Sequence, residues 1–165
     1  MKFCEECGTK LEPKYLDVEG MIDYCSKCQK FVFKKYSVAV ILIVISVKTK
    51  KVLLIKQYNK DKFILIAGYI NQGESAEEAL VRELKEEVSL IPISWTFKKT
   101  KYFEKSNTLM LNYVVYVNED IVKVNHEVDY FEWFDLEAAL NVFDKTTLAY
   151  EFYKNYYDTR CNDEI

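Results

Sequence analysis

Two C-x2-C pairs, Cys4/Cys7 and Cys25/Cys28, stand seventeen residues apart near the start of the chain. No other feature limits a local fold so tightly. Each pair can set two thiolates on one tight turn, and two such turns complete a closed tetrahedral site around Zn2+. In a reducing compartment this spacing is better explained by a metal than by disulfides. Residues 1–35 therefore read as a zinc ribbon, with short strands expected around Tyr15–Val18 and Met21–Tyr24. So short a segment cannot build its own core, and the metal has to supply the folding energy. The fifth cysteine, Cys161, reads as a plain tail thiol.

Residues 36–165 read as one further domain. The 165 residues, half apolar and 15% aromatic, suffice for one well-filled core and a small appendage. The segments YSVAVILIVISV, VLLIKQYN, FILIAGYI, ISWTFKKTKYF, TLMLNYVVYVN and DYFEWFD read as strands. LEAALNVF and TTLAYEFYKNYY read as helices, as does the stretch from about 75 to 88. Strands with a few interspersed helices, lacking regular βαβ repetition, point to an α+β sandwich. The run VAVILIVISV is about half the length of a bilayer span and rich in β-branched residues, so it reads as a buried strand. A net charge of −3 excludes general attraction to phosphate polymers or anionic membranes, and no local basic run stands out. The start MKFCEECGTK shows no secretory signal, so a cytoplasmic location is expected.

The stretch GYINQGESAEEALVRELKEEVSL carries six glutamates between Glu74 and Glu87 against Arg82 and Lys85. Clustering alone decides little, because like charges on an exposed helix face cost only about 0.2–0.5 kcal/mol per pair. Phase decides more. At roughly 100° per residue, Ala76, Ala79, Leu80, Leu84 and Val88 form one stripe, and Glu83 and Glu87 fall within it rather than opposite. Two inward carboxylates about 5 Å apart repel by roughly 3 kcal/mol at an effective dielectric near 20. A divalent cation relieves that, and all-oxygen ligands favour Mg2+ or Mn2+, which also recruit phosphate oxygens. Arg82 can orient Glu74, eight residues back on nearly the same face, or pair simply with Glu78.

The same stretch resembles the Nudix box, G-x5-E-x7-R-E-U-x-E-E-x-G-U with U bulky and apolar. Gly68, Glu74, Arg82, Glu83, Leu84, Glu86, Glu87 and Leu90 match, and Ser89 replaces the glycine that would end the helix. The resemblance spans residues 37 to about 158 and implies a Nudix α/β/α sandwich. It implies hydrolysis of a nucleoside diphosphate linked to another moiety, assisted by Mg2+ or Mn2+. Under it Glu83 and Glu87 are metal ligands, and Glu86 is a further ligand or the base. With a zinc ribbon ahead of it, the chain resembles the NADH pyrophosphatase branch, on IAGYIN (66–71) and TLML (108–111). That similarity adds the Ala67 carbonyl and Glu127 to the metal site. It places Ala149 and the stretch from Lys101 to Thr108, with Phe103, Asn107 and Thr108, along the substrate pocket. The branch's SQPWPFPxS motif is TKYFEKSNT here, without its prolines.

A dinucleotide such as NADH, cut to AMP and nicotinamide mononucleotide, is the expected substrate, and the branch implies a homodimer. ADP-ribose, a nucleotide sugar and the NAD cap of RNA are alternatives within the same chemistry. A nucleotide-sensing regulator without catalysis is the rival of another class. Its ribbon, residues 1–36, carries seven lysines against six acids, thin for gripping a phosphate backbone. Lys98, Lys99, Lys101 and Lys105 read as a solvated strand edge, with contact between one of them and a substrate phosphate as the alternative.

Overall fold

A computed structural model describes residues 2–118 and 121–160, so Cys161 lies outside the described residues. The chain divides into two compact units, Met1–Tyr36 and Ser37–Ile165.

The first unit is a three-stranded antiparallel sheet of β1 (Glu12–Leu16), β2 (Gly20–Cys25) and β3 (Lys30–Val32). β1 begins earlier than expected, and Asp17–Glu19 form a 3-10 turn instead of strand, with Val18 fully exposed. The reversal is completed by Gly20 at φ 74°, a left-handed conformation that side chains disfavour. β3 went unrecognised in the sequence because three residues carry too little pattern. The buried centre of this unit is Cys4, Leu11 and Cys25, with Cys7, Cys28 and Val32 against it. A core made largely of sulfur has little apolar area to offer.

The second unit is built on a mixed sheet in the order β7-β8-β4-β5-β9, with β6 also paired to β4. The strands are β4 (Ser37–Ser46), β5 (Val52–Gln57), β6 (Ile66–Tyr69), β7 (Pro92–Phe103), β8 (Thr108–Val117) and β9 (Val128–Phe134). α1 (Ala76–Val88) covers one face, and α2 (Leu136–Val142) with α3 (Leu148–Thr159) covers the other. This is the expected α/β/α sandwich.

β4 shows why a continuous apolar run was needed. Val40, Leu42 and Val44 pack in the α1 layer with Leu80, Leu84 and Val88, while Ile41, Ile43 and Ile45 pack with Ala139, Phe152 and Tyr153. A strand buried on both faces cannot alternate with polar residues. Each such side chain contributes about 1.5–3 kcal/mol by leaving water.

The edges of β4 position the site. Along one edge β8 runs parallel from Ser37↔Thr108 to Ser46↔Val117. The other edge is shared: Ala39–Leu42 pair with β6, while Val44 and Ile45 pair with β5. Two strands cannot occupy one edge over the same residues, so β5 and β6 diverge. FILIAGYI is accordingly not one strand; only Ile66–Tyr69 is, because Ile64 bridges back to Ile55 and Phe63 to Phe143. No described helix is long and apolar enough to cross a membrane.

Candidate active site

α1 starts and stops on local signals. Ser75 and Glu78 form a capping box, Ser75 Oγ accepting from Glu78 N at 3.2 Å and Glu78 Oε2 accepting from Ser75 N at 2.8 Å. At the far end Ser89 adopts φ 56°, and the amides of Ser89 and Leu90 donate to Lys85 and Leu84 carbonyls. Serine thus takes the left-handed position where glycine would be cheaper, and the helix still terminates there.

The helix phase is as expected: Ala79, Leu80, Leu84 and Val88 are buried, and so is Glu87, at 3% exposure. Glu87 Oε2 has no hydrogen-bond partner among the described residues. Burial pushes its carboxyl up to about 7, and Glu83, Glu127 and Glu86 push the same way, against a lowering hydrogen bond from Gln57.

Arg82 organises the neighbouring acids. Its Nε and Nη2 donate to the two Glu74 oxygens at 2.7 and 2.9 Å, and Nη2 also donates to the Tyr69 carbonyl at 2.9 Å. Nη1 donates to Glu83 at 2.6 Å and to Glu86 at 3.3 Å. These hydrogen bonds and the Asn71 amide hold the Glu74 carboxyl down at about 2. Glu78, the alternative partner, is engaged by Ser75 instead.

Gly68 explains why Glu83 fits. A Cβ there would lie 1.9 Å from the Glu83 carboxyl carbon, so only a residue without a side chain leaves the carboxylate in this position between β6 and α1.

Glu127 arrives from the far side by a loop tied to the C-terminal end of α1. The Lys123 and Asn125 amides donate to the Val88 and Glu87 carbonyls at 3.2 Å, satisfying groups the helix leaves open. Asn125 Oδ1 then accepts from the amides of Glu127 and Val128 at 2.9 and 3.3 Å. The Tyr58 hydroxyl donates to Glu127 Oε2 at 3.4 Å.

These residues meet in one cleft of about 590 Å3. Of the expected site residues, Ala67, Arg82, Glu83, Glu87, Phe103, Thr108, Glu127 and Ala149 line it. Two do not. Glu86 is 56% exposed beside Arg82, since its position on the helix turns it outward from Glu87. Asn107 sits at φ 50° at the β7–β8 turn, where its Oδ1 accepts from the Tyr102 hydroxyl at 2.6 Å. The sequence reading missed Gln57, Tyr58, Thr147 and Leu148 in the lining, whereas Ser106 falls within the expected stretch from Lys101 to Thr108. For Tyr58 and Asn59 a signal existed: "QYN" ends a strand, and both adopt positive φ, 57° and 56°.

The carboxylates suit a divalent ion. Every donor is oxygen and one buried oxygen has no partner among the described residues, although there the four cysteines alone bring three or more donor atoms within 4.8 Å of one another. Oxygen donors suit magnesium, which keeps water and phosphate among its ligands. The four thiols are unoxidised and closely spaced, with Cys4 Sγ to Cys28 Sγ at 3.9 Å and Cys7 Sγ to Cys25 Sγ at 3.5 Å. Four Zn–S bonds of about 2.3 Å in a tetrahedron require sulfurs roughly 3.8 Å apart. The cluster fits a zinc-binding ribbon.

Comparison with known proteins agrees. The chain is 28% identical over 140 residues to the NAD-capped RNA hydrolase NudC of Pseudomonas aeruginosa, covering 83% of this chain and 49% of that protein. It is 22% identical over 162 residues to NudC of Vibrio atlanticus, covering 96% of this chain and 58% of that one. It therefore spans about half the length of the curated relatives it matches. A crystal structure of a NUDIX hydrolase from Nitrosomonas europaea superposes with a TM-score of 0.71 at 20% identity, covering 99% of this chain and 94% of that one. The NUDIX domain family model matches residues 35–156. With the box on α1, the sandwich that carries it and a family match over most of its length, the chain belongs to the Nudix family.

Proposed function

We propose that this chain hydrolyses the pyrophosphate bond of an NAD-type dinucleotide, releasing AMP and nicotinamide mononucleotide. The observation that carries the reading is the buried Glu87, with an orphaned oxygen, in the same cleft as Glu83 and Glu127. The names of the relatives support the NAD-type substrate.

Glu83, Glu87, Glu127 and the Ala67 carbonyl would hold Mg2+ or Mn2+. When bound, such an ion supplies positive charge against the pyrophosphate oxygens and lowers the pKa of water. Arg82 holds Glu83 and Glu74 in place and ties both to the end of β6. Phe103 offers an aromatic face to a base, worth about 1–3 kcal/mol. Thr108 and Ala149 close the wall around it. Glu86 serves as base only if its side chain leaves Arg82 and turns inward; an active Glu86→Gln variant removes it from the mechanism.

In the ribbon, Cys4, Cys7, Cys25 and Cys28 bind structural Zn2+, which fits a reducing, cytoplasmic setting. The proposed assembly is a homodimer, for which exposed Ile93, Trp95 and Phe97 on β7 offer an apolar face.

The test is incubation with Mg2+ or Mn2+ and NADH, NAD-capped RNA, ADP-ribose and a nucleotide sugar, identifying both products by mass. AMP and reduced nicotinamide mononucleotide are expected from NADH. Absence of pyrophosphate cleavage across the panel with both ions overturns the reading.

A further inference from the structure

A second groove opens from the cleft. It shares Phe103, Thr147 and Leu148 with the cleft, and it is lined by Lys99, Lys101, Lys105, Lys145 and Lys154 against only Glu151 and Asp158. Its volume, about 640 Å3, is comparable to that of the cleft. The sequence shows no basic run because these lysines come from three places: β7 and the turn after it, the α2–α3 connection, and α3. Folding gathers them. The expectation that no local basic surface stands out is corrected accordingly.

Two of the five cations are neutralised internally. Lys101 pairs with Glu151, and Lys154 pairs with Asp158 at 2.5 Å. Lys99 lies over the Phe152 ring at 5.5 Å, a contact that leaves its charge uncompensated. Lys105 and Lys145, both exposed, have no ion-pair partner among the described residues. Glu104 neighbours Lys105 in sequence but does not line the groove, and Asp144, beside Lys145, is bound by Lys62 and Thr146. An excess of positive charge thus sits beside the cleft in a chain whose net charge is −3. A groove with walls of one sign concentrates the opposite charge.

We propose that this groove is a subsite for a phosphate beyond the scissile pyrophosphate, so that the enzyme favours dinucleotides extended by a further phosphate over plain ones. This rests on the function proposed above. With a base against Phe103, at the boundary of the two spaces, a phosphate on the attached ribose enters between Lys105 and Lys145. Phosphate is the shared chemistry, and it has two sources: a monoester on the ribose, or the diester backbone of an attached polynucleotide.

The experiment is equilibrium titration, in buffer without divalent ions, of NADH, NADPH and an NAD-capped pentanucleotide against the full chain and its Lys145→Ala variant. A phosphate meeting two lysines is expected to bind about five- to tenfold tighter than NADH at low salt. The variant should lose that advantage yet bind NADH as the wild type does. An advantage confined to NADPH assigns the monoester; one confined to the oligonucleotide assigns the polynucleotide, with an affinity that falls as salt rises. Equal affinity for all three ligands overturns the proposal, as does an advantage that survives the substitution undiminished. NADH cleavage with Mg2+, measured alongside, tests the proposed function separately, and its failure leaves the affinity comparison readable.

Discussion

Replacing Glu87 by glutamine should make the protein without divalent ions more stable at high pH. The side chain keeps its shape and loses the charge that burial opposes. The carboxyl titrates near 4.5 when solvated and is raised to about 7 by burial at 3% exposure. For an acid raised in this way, stability is fully present below 4.5, is lost as pH rises through about 7, and is flat above that. At about 1.4 kcal/mol per pKa unit, the wild type forfeits about 3 kcal/mol by pH 8 and under about 1 kcal/mol at pH 5. The variant forfeits neither, although its buried amide brings a pH-independent cost of about 1–3 kcal/mol if unpaired. The growth of the difference between the proteins is therefore the measured quantity. Urea unfolding followed by tryptophan fluorescence suits it, because Trp95 and Trp133 both lie in the second unit. The advantage of the variant over wild type should grow by about 2–3 kcal/mol from pH 5 to pH 8. Adding Mg2+ or Mn2+ at pH 8 should stabilise the wild type more than the variant, in proportion to occupancy. A difference independent of pH would refute the account of Glu87 as a buried, charge-strained carboxylate.

Gly68→Ala should leave the urea midpoint nearly unchanged while lowering turnover about a hundredfold, because the added methyl displaces the flexible end of Glu83 by more than 1 Å; full activity would show that Glu83 need not sit there. Ser89→Gly should raise stability by about 1 kcal/mol by relieving the left-handed residue that ends α1, read from urea unfolding. Stripping zinc, or Cys25→Ser, should unfold residues 1–36 with loss of one bound zinc by mass spectrometry and leave the tryptophan signal in place; a ribbon that keeps its amide dispersion without metal would contradict the sulfur-centred core.

Much of the site could be read along the chain because one helix carries it. Periodicity is enough to turn Glu83 and Glu87 toward the sheet, while spacing leaves Arg82 a choice between Glu74 and Glu78 that the capping box settles by engaging Glu78. Glu86 was expected in the site from the resemblance, whereas its position on the helix turns it outward beside Arg82. Asn107 was expected in the pocket from the resemblance, yet the turn that joins β7 to β8 commits its side chain to Tyr102. The strand FILIAGYI was overread because alternation cannot reveal that the edge of β4 is already half occupied by β5.

The sequence by itself determined the ribbon's cysteine set, the buried double-faced strand β4, the phase of α1 and the carboxylates on it, since each follows from local spacing and the period of one element. Only the tertiary structure decided the rest. Glu127 enters the cleft that Glu87 lines through a loop satisfying the open carbonyls of α1, and Gln57 and Tyr58 face the cleft because β5 and β6 must part. The lysine groove exists because β7, α3 and the connection before it converge. Local spacing fixes which way one element faces; which elements come to share a space depends on how the strand edges and helix ends are satisfied together.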